Sequence, residues 1–357
     1  MPSTNGRPIT LLDVARDAGV SRTTVSNAFN RPDQLSAELR ARILQVAEGL
    51  GYAGPNPVAR VLRTGRTHTI GIVFSDPLLY LFTDPVAIAL LQGVAAACEA
   101  SHTGVLILPA DAPEAAAARV REAVVDGFLV YCHEQDSPVM DALSARALPA
   151  VGVDLEGFAH GPVVTIDDRG GALAAARHLI GLGHRDLAVM ALAGEHELSR
   201  DHRRMARFKP VRDRLAGYRQ ALAEAGLDPA SLRVVEEPQN DRSAAEAVAL
   251  RLLKRRARPT AILAMSDMLA VGVLRAAQGL GIAVPDELSV VGFDDIPLAV
   301  DLTPPLTTVR QPLIEKGRLA AAVLLGTAEP PPAPLPTELV VRGSTAPPPQ
   351  PVRAKRR

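Results

Sequence analysis

The pattern of hydrophobic positions changes near residue 69, where short apolar runs begin to alternate with helical stretches. Two series of runs predict strands: TIGIVF, GVLILPA, DGFLVY, PAVGVD and VVTID, then DLAVMALA, RVVEE, TAILAM and LSVVGFD. Fully apolar strands joined by helices indicate a parallel sheet that is covered on both faces. Two such series predict two similar lobes with a hinge near residues 165–168. The late runs LTTVRQP and ELVVRGS indicate that the chain crosses back between the lobes.

Before that point the pattern predicts short helices only. Thr10 can cap the first, with Asp13 three residues later completing a capping box. Gly19 supplies the turn that ends this helix, Ser21 can cap the second and Ser36 opens a third. The apolar positions of the third helix keep helical spacing: Leu39, Ile43, Val46, Ala47 and Leu50.

A segment interrupted by Gly and Pro, GYAGPNPVARVLRTGRT (51–67), separates the helical head from the alternating region. Its middle, PVARVLR, is compatible with one short helix that starts at Pro57. The last residues, APPPQPVRAKRR (346–357), have the composition of a disordered tail.

The distribution of charge along the chain adds a modest argument about its partners. The 357 residues carry no net charge, so bulk composition favours neither nucleic acid nor a membrane surface as a partner. Residues 1–66, however, contain nine arginines against five acids, a net charge of +4 that leaves −4 for the rest of the chain. A basic head on a mildly acidic body is expected where one end meets phosphates.

The head has the spacing of a helix-turn-helix. Ala15 lets a second helix pack closely, Gly19 supplies a positive φ, and Val25 points into the pair. The second helix would enter the major groove, where arginine suits guanine and asparagine suits adenine. The predicted base-reading residues are Arg22, Thr23 and Asn27. The alternative is an ordinary helical hairpin whose polar face is solvated; the caps, the third helix and the basic excess favour DNA.

At this point the stretches ITLLDVARDAGVSRTTVSNAFN, LSAELRARILQVAEGLGY and NPVARVLRTGRT resemble the lactose/galactose repressor (LacI/GalR) family. The resemblance runs from about Ile9 to Thr345. It implies a helix-turn-helix head at 1–55, a hinge helix or linker at 56–67 and an effector-binding core at 68–345. The implied core is a two-lobed α/β fold with parallel doubly wound sheets, of the periplasmic-binding-protein-like (type I) class. Its first lobe would hold about 68–166 and 298–328, and its second about 167–297 and 329–345.

Two further sets of DNA contacts are expected in the head. Hydroxyls and amides can hold phosphates or position the head, and the set is Thr10, Ser21, Thr24, Ser26, Asn30, Ser36, Tyr52 and Asn56. The resemblance implies that the hinge helices of two subunits pair and push a leucine between base steps in the minor groove. The matching residues are Ala59, Arg60, Leu62 and Arg63. The alternative is a plain linker helix with Leu62 packed on the body.

Five polar residues of the core are candidate effector contacts. Asp154, Ser266 and Asp294 follow strands, and ligands of open α/β sheets bind at the carboxyl ends of strands. The resemblance adds Arg214 and Gln239. Carboxylates together with an arginine suit a polyol, because they accept from and donate to hydroxyls. The alternative for each strand-end residue is to cap the following helix.

Two stretches depart from the family pattern. SDPLLYLFTDPVA (75–87) is longer than in many relatives and has Val86 and Ala87 where those carry paired aromatics, although Tyr80 and Phe82 lie close by. Stacking of a sugar on an aromatic ring is therefore left open. GEHELSRDHRRMARFKPVRD (194–213) is a long basic loop. It is interpreted as solvated, with a role of Arg203, Arg204 or Arg207 in binding an acidic effector as the alternative.

Other classes of protein have little support. No G-x-G-x-x-G after a strand, Walker A lysine motif or G-x-S-x-G elbow occurs, so no enzyme and no cofactor are predicted. His196 and His202 share a loop but are weak evidence for zinc, and Cys98 and Cys132 are expected to be buried, reduced thiols. The head, and an N-terminus without a signal-peptide pattern, disfavour a transport solute-binding protein.

The resulting hypothesis is a cytoplasmic, sequence-specific DNA-binding regulator. We expect a repressor whose operator affinity is controlled by a sugar or sugar derivative bound between the lobes. A homodimer is expected, with a tetramer as the alternative, and no membrane or metal partner.

Overall fold

The structure is a computed structural model that describes residues 9–54, 61–62, 64–109, 112–133, 136–192, 208–237 and 240–349. The chain divides into two compact units, Met1–Thr67 and His68–Arg357. The first unit is helical and the second is α/β, in agreement with the change of hydrophobic period near residue 69.

Between residues 9 and 54, the first unit contains three α-helices. They are α1 (Leu11–Ala18), α2 (Arg22–Asn30) and α3 (Ala37–Gly49), with a 3-10 turn at Pro32–Gln34. Both the Thr10 capping box and the Ser21 cap are present as predicted. Gly19 ends α1 with a φ of 63°, a left-handed conformation that glycine adopts without strain.

A small apolar core holds the three helices together. Val14, Val25 and Ile43 have no exposed surface, and each comes from a different helix. Phe29 meets Tyr52 edge to face, with ring centroids 5.7 Å apart. The residues of α3 predicted to be apolar all pack in or against this core. The helix-turn-helix geometry therefore follows from the predicted spacing of small and apolar side chains.

The first lobe of the second unit is a five-stranded parallel sheet in the order β2-β1-β3-β4-β5. Its strands are β1 (Thr69–Phe74), β2 (Gly104–Pro109), β3 (Phe128–Tyr131), β4 (Ala150–Val153) and β5 (Val163–Val164). The helices are α4 (Leu78–Leu81), α5 (Pro85–Ala100), α6 (Pro113–Glu122) and α7 (Pro138–Arg146). Separate apolar clusters form on the two faces of the sheet, because its strands are apolar on both sides.

The second lobe is a six-stranded sheet in the order β11-β10-β9-β8-β6-β7, in which only the β10–β11 pair is antiparallel. Its strands are β6 (Leu187–Leu192), β7 (Arg233–Glu237), β8 (Ala261–Ala264), β9 (Ser289–Asp294), β10 (Thr307–Arg310) and β11 (Glu338–Val340). The helices are α8 (Asp168–Gly181), α9 (Lys209–Glu224), α10 (Arg242–Leu253), α11 (Asp267–Gly279) and α12 (Leu298–Asp301), with a 3-10 turn at Pro229–Ser231.

The return of the chain to the first lobe occurs later than expected. The segment 298–310 was expected in the first lobe, but β10 pairs with β9 and Leu306 lies in the second core. Only the following helix, α13 (Leu313–Leu324), packs on the first lobe, against α5. The close approach of these helices depends on glycine, since a Cβ at Gly317 would lie 2.0 Å from the Leu90 carbonyl oxygen. The chain then re-enters the second sheet at β11.

The start of the predicted disordered tail is ordered. The backbone N–H of Ala346 donates to the Ser289 hydroxyl at 3.0 Å, and its carbonyl lies 2.9 Å from Nε2 of His184. Residues 350–357 lie outside the described residues. No helix in the described part of the chain has the length and apolar character needed to cross a membrane.

Candidate functional sites

The exposed face of α2 carries the residues predicted to read bases. Val25 and Ala28 are buried, which turns the opposite face outward, with Arg22 and Thr23 exposed and Asn27 partly exposed. The Asn27 amide donates to the Gln34 side chain at 3.1 Å, so its orientation is supported from the turn that follows the helix. This face offers a guanidinium, a hydroxyl and an amide, the groups that recognise base edges in a major groove.

The polar residues around α2 form local hydrogen bonds. The Ser21 and Thr24 hydroxyls lie 2.8 Å apart, and the Asn30 amide donates to the Ser26 carbonyl at 3.0 Å. Thr10 and Ser36 cap the helices that follow them. Of the predicted phosphate contacts, Thr10, Ser21, Thr24 and Ser36 lie at helix starts, where free backbone N–H groups also attract anions. Ser26 and Asn30 lie further along α2, and Tyr52 follows α3.

In the linker, only the end of the expected hinge helix is described. Val61, Leu62 and Thr64 are helical, and the Gly65 N–H donates to the Val61 carbonyl at 2.8 Å. The Leu62 side chain is 83% exposed. Asn56, Ala59, Arg60 and Arg63 lie outside the described residues.

In the second unit, four of the five predicted effector contacts meet where the two lobes face each other. Asp154 follows β4, Ser266 follows β8, Asp294 ends β9 and Arg214 lies in α9; all four are buried. Asp154 and Asp294 have positive φ values of 54° and 118°. Backbone strain of this kind in non-glycine residues clusters at functional sites. Gln239 lies outside the described residues.

The guanidinium of Arg214 is held on several sides. Its Nε donates to Asp168 at 2.9 Å, Nη1 donates to the Met265 carbonyl and lies 3.9 Å from Asp294, and the group stacks 3.6 Å from the centroid of Phe293. Burial is the largest single influence on the pKa of Arg214 and lowers it. The negative charges of Asp168 and Asp294 help to outweigh burial, so the pKa lies above its ordinary value. Arg214 is thus a fixed cation at the base of the cleft.

A second chain of contacts joins the two predicted aspartates. The Lys316 ammonium donates to Asp154 Oδ2 at 2.5 Å and to the Gln311 side-chain oxygen at 2.9 Å. The Gln311 amide donates in turn to Asp294 Oδ1 at 2.6 Å. Neither aspartate uses these carboxylate oxygens to cap a helix, the alternative considered for them.

Near the start of α5, a third cluster connects the lobes directly. Asp84 caps α5 through the Ala87 N–H, and its other oxygen accepts from the Asn240 amide at 3.2 Å. The Ser266 hydroxyl donates to Asn240 at 2.5 Å and also accepts the Leu269 N–H. Ser266 therefore caps the following helix, as the alternative predicted, and its hydroxyl also contacts Asn240.

Burial makes several of these carboxyl groups unusually basic. It raises the pKa of Asp84 to about 6, and it raises that of Asp294 to about 7 although Arg214 and Gln311 favour the charged form. Burial also raises the pKa of Asp168, with Arg214 opposing it. These groups lie in a region where water no longer stabilises charge.

Two buried carboxylate oxygens accept no hydrogen bond from the part of the chain that the structure describes. They are Oδ1 of Asp154 and Oδ2 of Asp168, the latter 3.8 Å from the Lys209 ammonium. Buried acceptors are normally satisfied, so such atoms call for a donor. The carboxylates of both lobes can therefore accept hydrogen bonds from hydroxyl groups of a ligand. Arg214 and Lys316 balance part of their negative charge.

A metal site has no support in this region. Among the described residues, no group of three or more His, Cys, Asp and Glu side chains is placed to hold an ion. His196, His202 and most of the basic loop at 194–213 lie outside them, as do Arg203, Arg204 and Arg207. Both cysteines are free; Cys98 is buried as expected, whereas Cys132 is only partly buried.

Comparison with known proteins matches one family model to the helical head and another to the later part of the α/β unit. A model described as bacterial regulatory proteins, lacI family, matches residues 10–56, and one described as a periplasmic binding protein-like domain matches residues 176–345. An HTH-type transcriptional regulator of Mycobacterium tuberculosis is 41% identical over 98% of this chain and 100% of its own length. The chain belongs to the LacI family of transcriptional regulators.

Other members of the family support this assignment. The HTH-type transcriptional regulator IpsA of Corynebacterium glutamicum is 39% identical, with 88% of this chain and 90% of that protein covered. The solved lac repressor dimer bound to operator and the anti-inducer ONPF has a TM-score of 0.79 at 25% identity, covering 95% of this chain and 100% of that one. The DNA-binding head and the two-lobed core predicted from sequence are thus confirmed for this LacI-family regulator.

The sequence prediction missed several cleft residues of this regulator. Asp168, Asp84, Asn240, Gln311 and Lys316 all take part in the contacts described above. One signal was available for Lys316, since it interrupts the apolar face of LIEKGRLAAAVL, which packs on the first lobe. The others occupy loop or helix-start positions, where a polar residue needs no special explanation.

Proposed function

We propose that this LacI-family regulator is a repressor whose operator affinity is controlled by a small, hydroxyl-rich effector bound between the lobes of its core. The observation that carries the proposal is the convergence of Asp154, Arg214, Ser266 and Asp294. Beside them, buried carboxylate oxygens of Asp154 and Asp168 accept no hydrogen bond from the described residues. A sugar or sugar derivative offers hydroxyl groups that can donate to the carboxylates and accept from the cations.

Relatives support the effector class. The ribose operon repressor of Escherichia coli is 33% identical over 88% of this chain and 92% of its own length. Solved relatives include a CelR–cellobiose complex, at 30% identity and a TM-score of 0.67, and a LacI-family regulator of Enterococcus faecium with bound ribose, at 26% identity and a TM-score of 0.65. Purine repressors such as that of Photobacterium profundum, at 32% identity, make a nucleobase the second candidate class.

For the DNA-binding head we propose that Arg22, Thr23 and Asn27 read bases. The phosphate-contacting and positioning residues proposed with them are Thr10, Ser21, Thr24, Ser26, Asn30, Ser36, Tyr52 and Asn56. The proposed hinge contacts are Ala59, Arg60, Leu62 and Arg63, with Leu62 as the minor-groove wedge. The exposed face of α2 and the exposure of Leu62 support these roles.

We further propose that the protein acts as a homodimer in the cytoplasm and has no catalytic activity. One small head buries too little surface for high specificity, whereas two heads on a near-palindromic operator read two half-sites. A ligand that prefers one arrangement of the lobes then shifts the population that binds DNA.

The test begins with recovery of operator fragments from genomic DNA by the purified full-length protein. Binding to a recovered operator is then followed by fluorescence anisotropy while neutral sugars and sugar alcohols, each paired with its phosphate ester, and purine bases are titrated. We expect a neutral sugar or polyol to release the operator, and the recovered promoter to be repressed in transcription in vitro. Failure of every hydroxyl-rich compound to change operator affinity would count against the proposed effector class.

A further inference from the structure

Lys316 is a buried lysine that the proposed function does not by itself require. It lies in α13, its side chain is 1% exposed, and its ammonium contacts Asp154 and Gln311. Burying an ammonium is costly unless its charge and its hydrogen bonds are satisfied. An apolar side chain at this position would avoid that cost, because α13 packs against α5 through apolar and small residues.

The two carboxylates connected through Lys316 occupy equivalent places in the two lobes. Asp154 directly follows VGV, the last three residues of β4, and Asp294 follows VGF at the end of β9. Each of these is the fourth strand of its lobe in chain order. Both residues have a positive φ. Each lobe therefore presents one carboxylate at the end of its fourth strand.

The direction of the hydrogen bonds between them follows from the lysine. An ammonium has no acceptor, so the Gln311 amide must turn its oxygen to Lys316 and its nitrogen to Asp294. The observed distances of 2.9 Å and 2.6 Å fit this orientation. Gln311 lies between β10 and α13, in the segment where the chain passes from the second lobe to the first.

We propose that Lys316 is a positioning residue for the effector. It contacts Asp154 directly and Asp294 through Gln311, and it thereby orients one carboxylate from each lobe toward a single ligand. This inference rests on the proposed effector site. Lys316 occupies Oδ2 of Asp154 and leaves Oδ1 as the buried acceptor without a partner among the described residues. The ligand must then offer donors on two opposite edges, one to Asp154 and one to Asp294.

The same arrangement disfavours an anionic effector. Asp154 lies close enough to Asp168, and Asp84 close enough to Asp294, for their charges to raise the pKa of Asp168 and of Asp294, and Arg214 is already paired with Asp168. A phosphate brought beside these groups would meet like charge in a buried site. An uncharged polyol, by contrast, can donate to each carboxylate.

The test compares Lys316→Met, which keeps the length of the side chain and removes its charge, with Lys254→Met, the removal of an exposed lysine at the end of α10. Full-length proteins are screened by thermal shift against the neutral sugars and sugar alcohols, and affinities for any binder are measured by calorimetry. We expect Lys316→Met to weaken binding of that compound about 10–100-fold, as for loss of hydrogen bonds to charged groups, and Lys254→Met to leave it unchanged.

A pH profile separates positioning from a purely structural effect. Lys316 lowers the pKa of Asp294, and its removal should raise that pKa further. Because the ionised carboxylate is the better acceptor, affinity should fall as pH drops through the Asp294 pKa, and this midpoint should lie higher in Lys316→Met. Groups that act on Asp294 from the surrounding elements are Arg214, Gln311, Lys316, Asp84 and Asp267.

The outcomes are distinct. Weaker binding with a raised midpoint supports the proposal, whereas unchanged affinity, or weaker binding with an unchanged midpoint, overturns it. If the wild-type protein binds no compound of the panel, the proposed effector class fails first and the positioning role fails with it. If Lys316→Met does not unfold cooperatively, Lys316→Gln is used, because it keeps a donor for Asp154 while losing the charge; the same two results are then required.

Discussion

Several single residues at the cleft are charged although they are buried, where water cannot stabilise the charge. Asp294 is the clearest case, since it is buried at the end of β9, accepts from Gln311 and lies 3.9 Å from Arg214. Its neighbour Asp295 points to the other side and pairs with Arg310 and Arg342. Adjacent residues at a strand end face opposite ways, so only one of the two carboxylates belongs to the cleft.

Replacing Asp294 with Ala should therefore remove the effector response while operator binding remains. The change deletes the acceptor that the second lobe offers, and we expect at least about a hundredfold loss of effector affinity, as for a buried charged hydrogen bond. Operator titrations with and without effector measure it. Asp295→Ala is the matched control for loss of a neighbouring carboxylate; a normal effector response in Asp294→Ala would remove this residue from the site.

At the scale of elements, helices place functional groups by burying the opposite face. Val25 and Ala28 anchor α2 in the head, which leaves Arg22 and Thr23 outward. In the linker, by contrast, the Leu62 side chain is 83% exposed. An exposed leucine in a DNA-binding head suits insertion between base steps, where apolar contact replaces stacking.

Replacing Leu62 with Ala should weaken operator binding by about tenfold or more, since the bent DNA would lose its apolar wedge. Binding to random-sequence DNA, which depends mainly on phosphates, should change much less. Anisotropy titrations with operator and with scrambled duplexes at one salt concentration measure both. Leu12→Ala, another exposed leucine of the head, is the control; an equal loss on both duplexes would contradict the wedge role.

On the scale of the whole molecule, the chain passes between the lobes of the core three times, near residue 166, between β10 and α13, and before β11. Contacts that join the lobes accompany these passages: Asp84 with Asn240, Arg212 with Glu156, and the chain from Asp154 to Asp294. All three involve carboxylates, so the arrangement of the lobes should respond both to ligand donors and to pH.

The stability of the ligand-free core should decrease as pH rises through about 6 to 7. Asp84 and Asp294 have pKa values raised to about 6 and about 7. A raised carboxyl pKa gives stability that is present below the unfolded value and lost as pH rises through the folded one, at up to about 1.4 kcal/mol per unit. Thermal unfolding from pH 5 to 8 measures it, and Asp294→Asn should flatten the profile. An equally steep profile in that variant would refute the contribution of Asp294.

Pattern in the sequence alone was enough for the strands, the helix caps and the family. Apolar runs predicted the strands from β1 to β9, because buried parallel strands must be apolar on both faces. The capping residues Thr10, Ser21 and Ser36 were also predictable, since a helix start needs a local acceptor for its free N–H groups. These features depend on neighbours within a few positions.

The tertiary structure decided which polar residues meet. Lys316 and Asp154 are 162 positions apart in sequence, and Asp168 and Arg214 are 46 apart. Their pairing depends on how two sheets and three crossings bring strand ends together, which no local pattern encodes. The late return to the first lobe has the same origin, because β10 pairs with β9 before α13 packs on α5. Burial then sets the charge state of each carboxyl group, and only the folded chain determines burial.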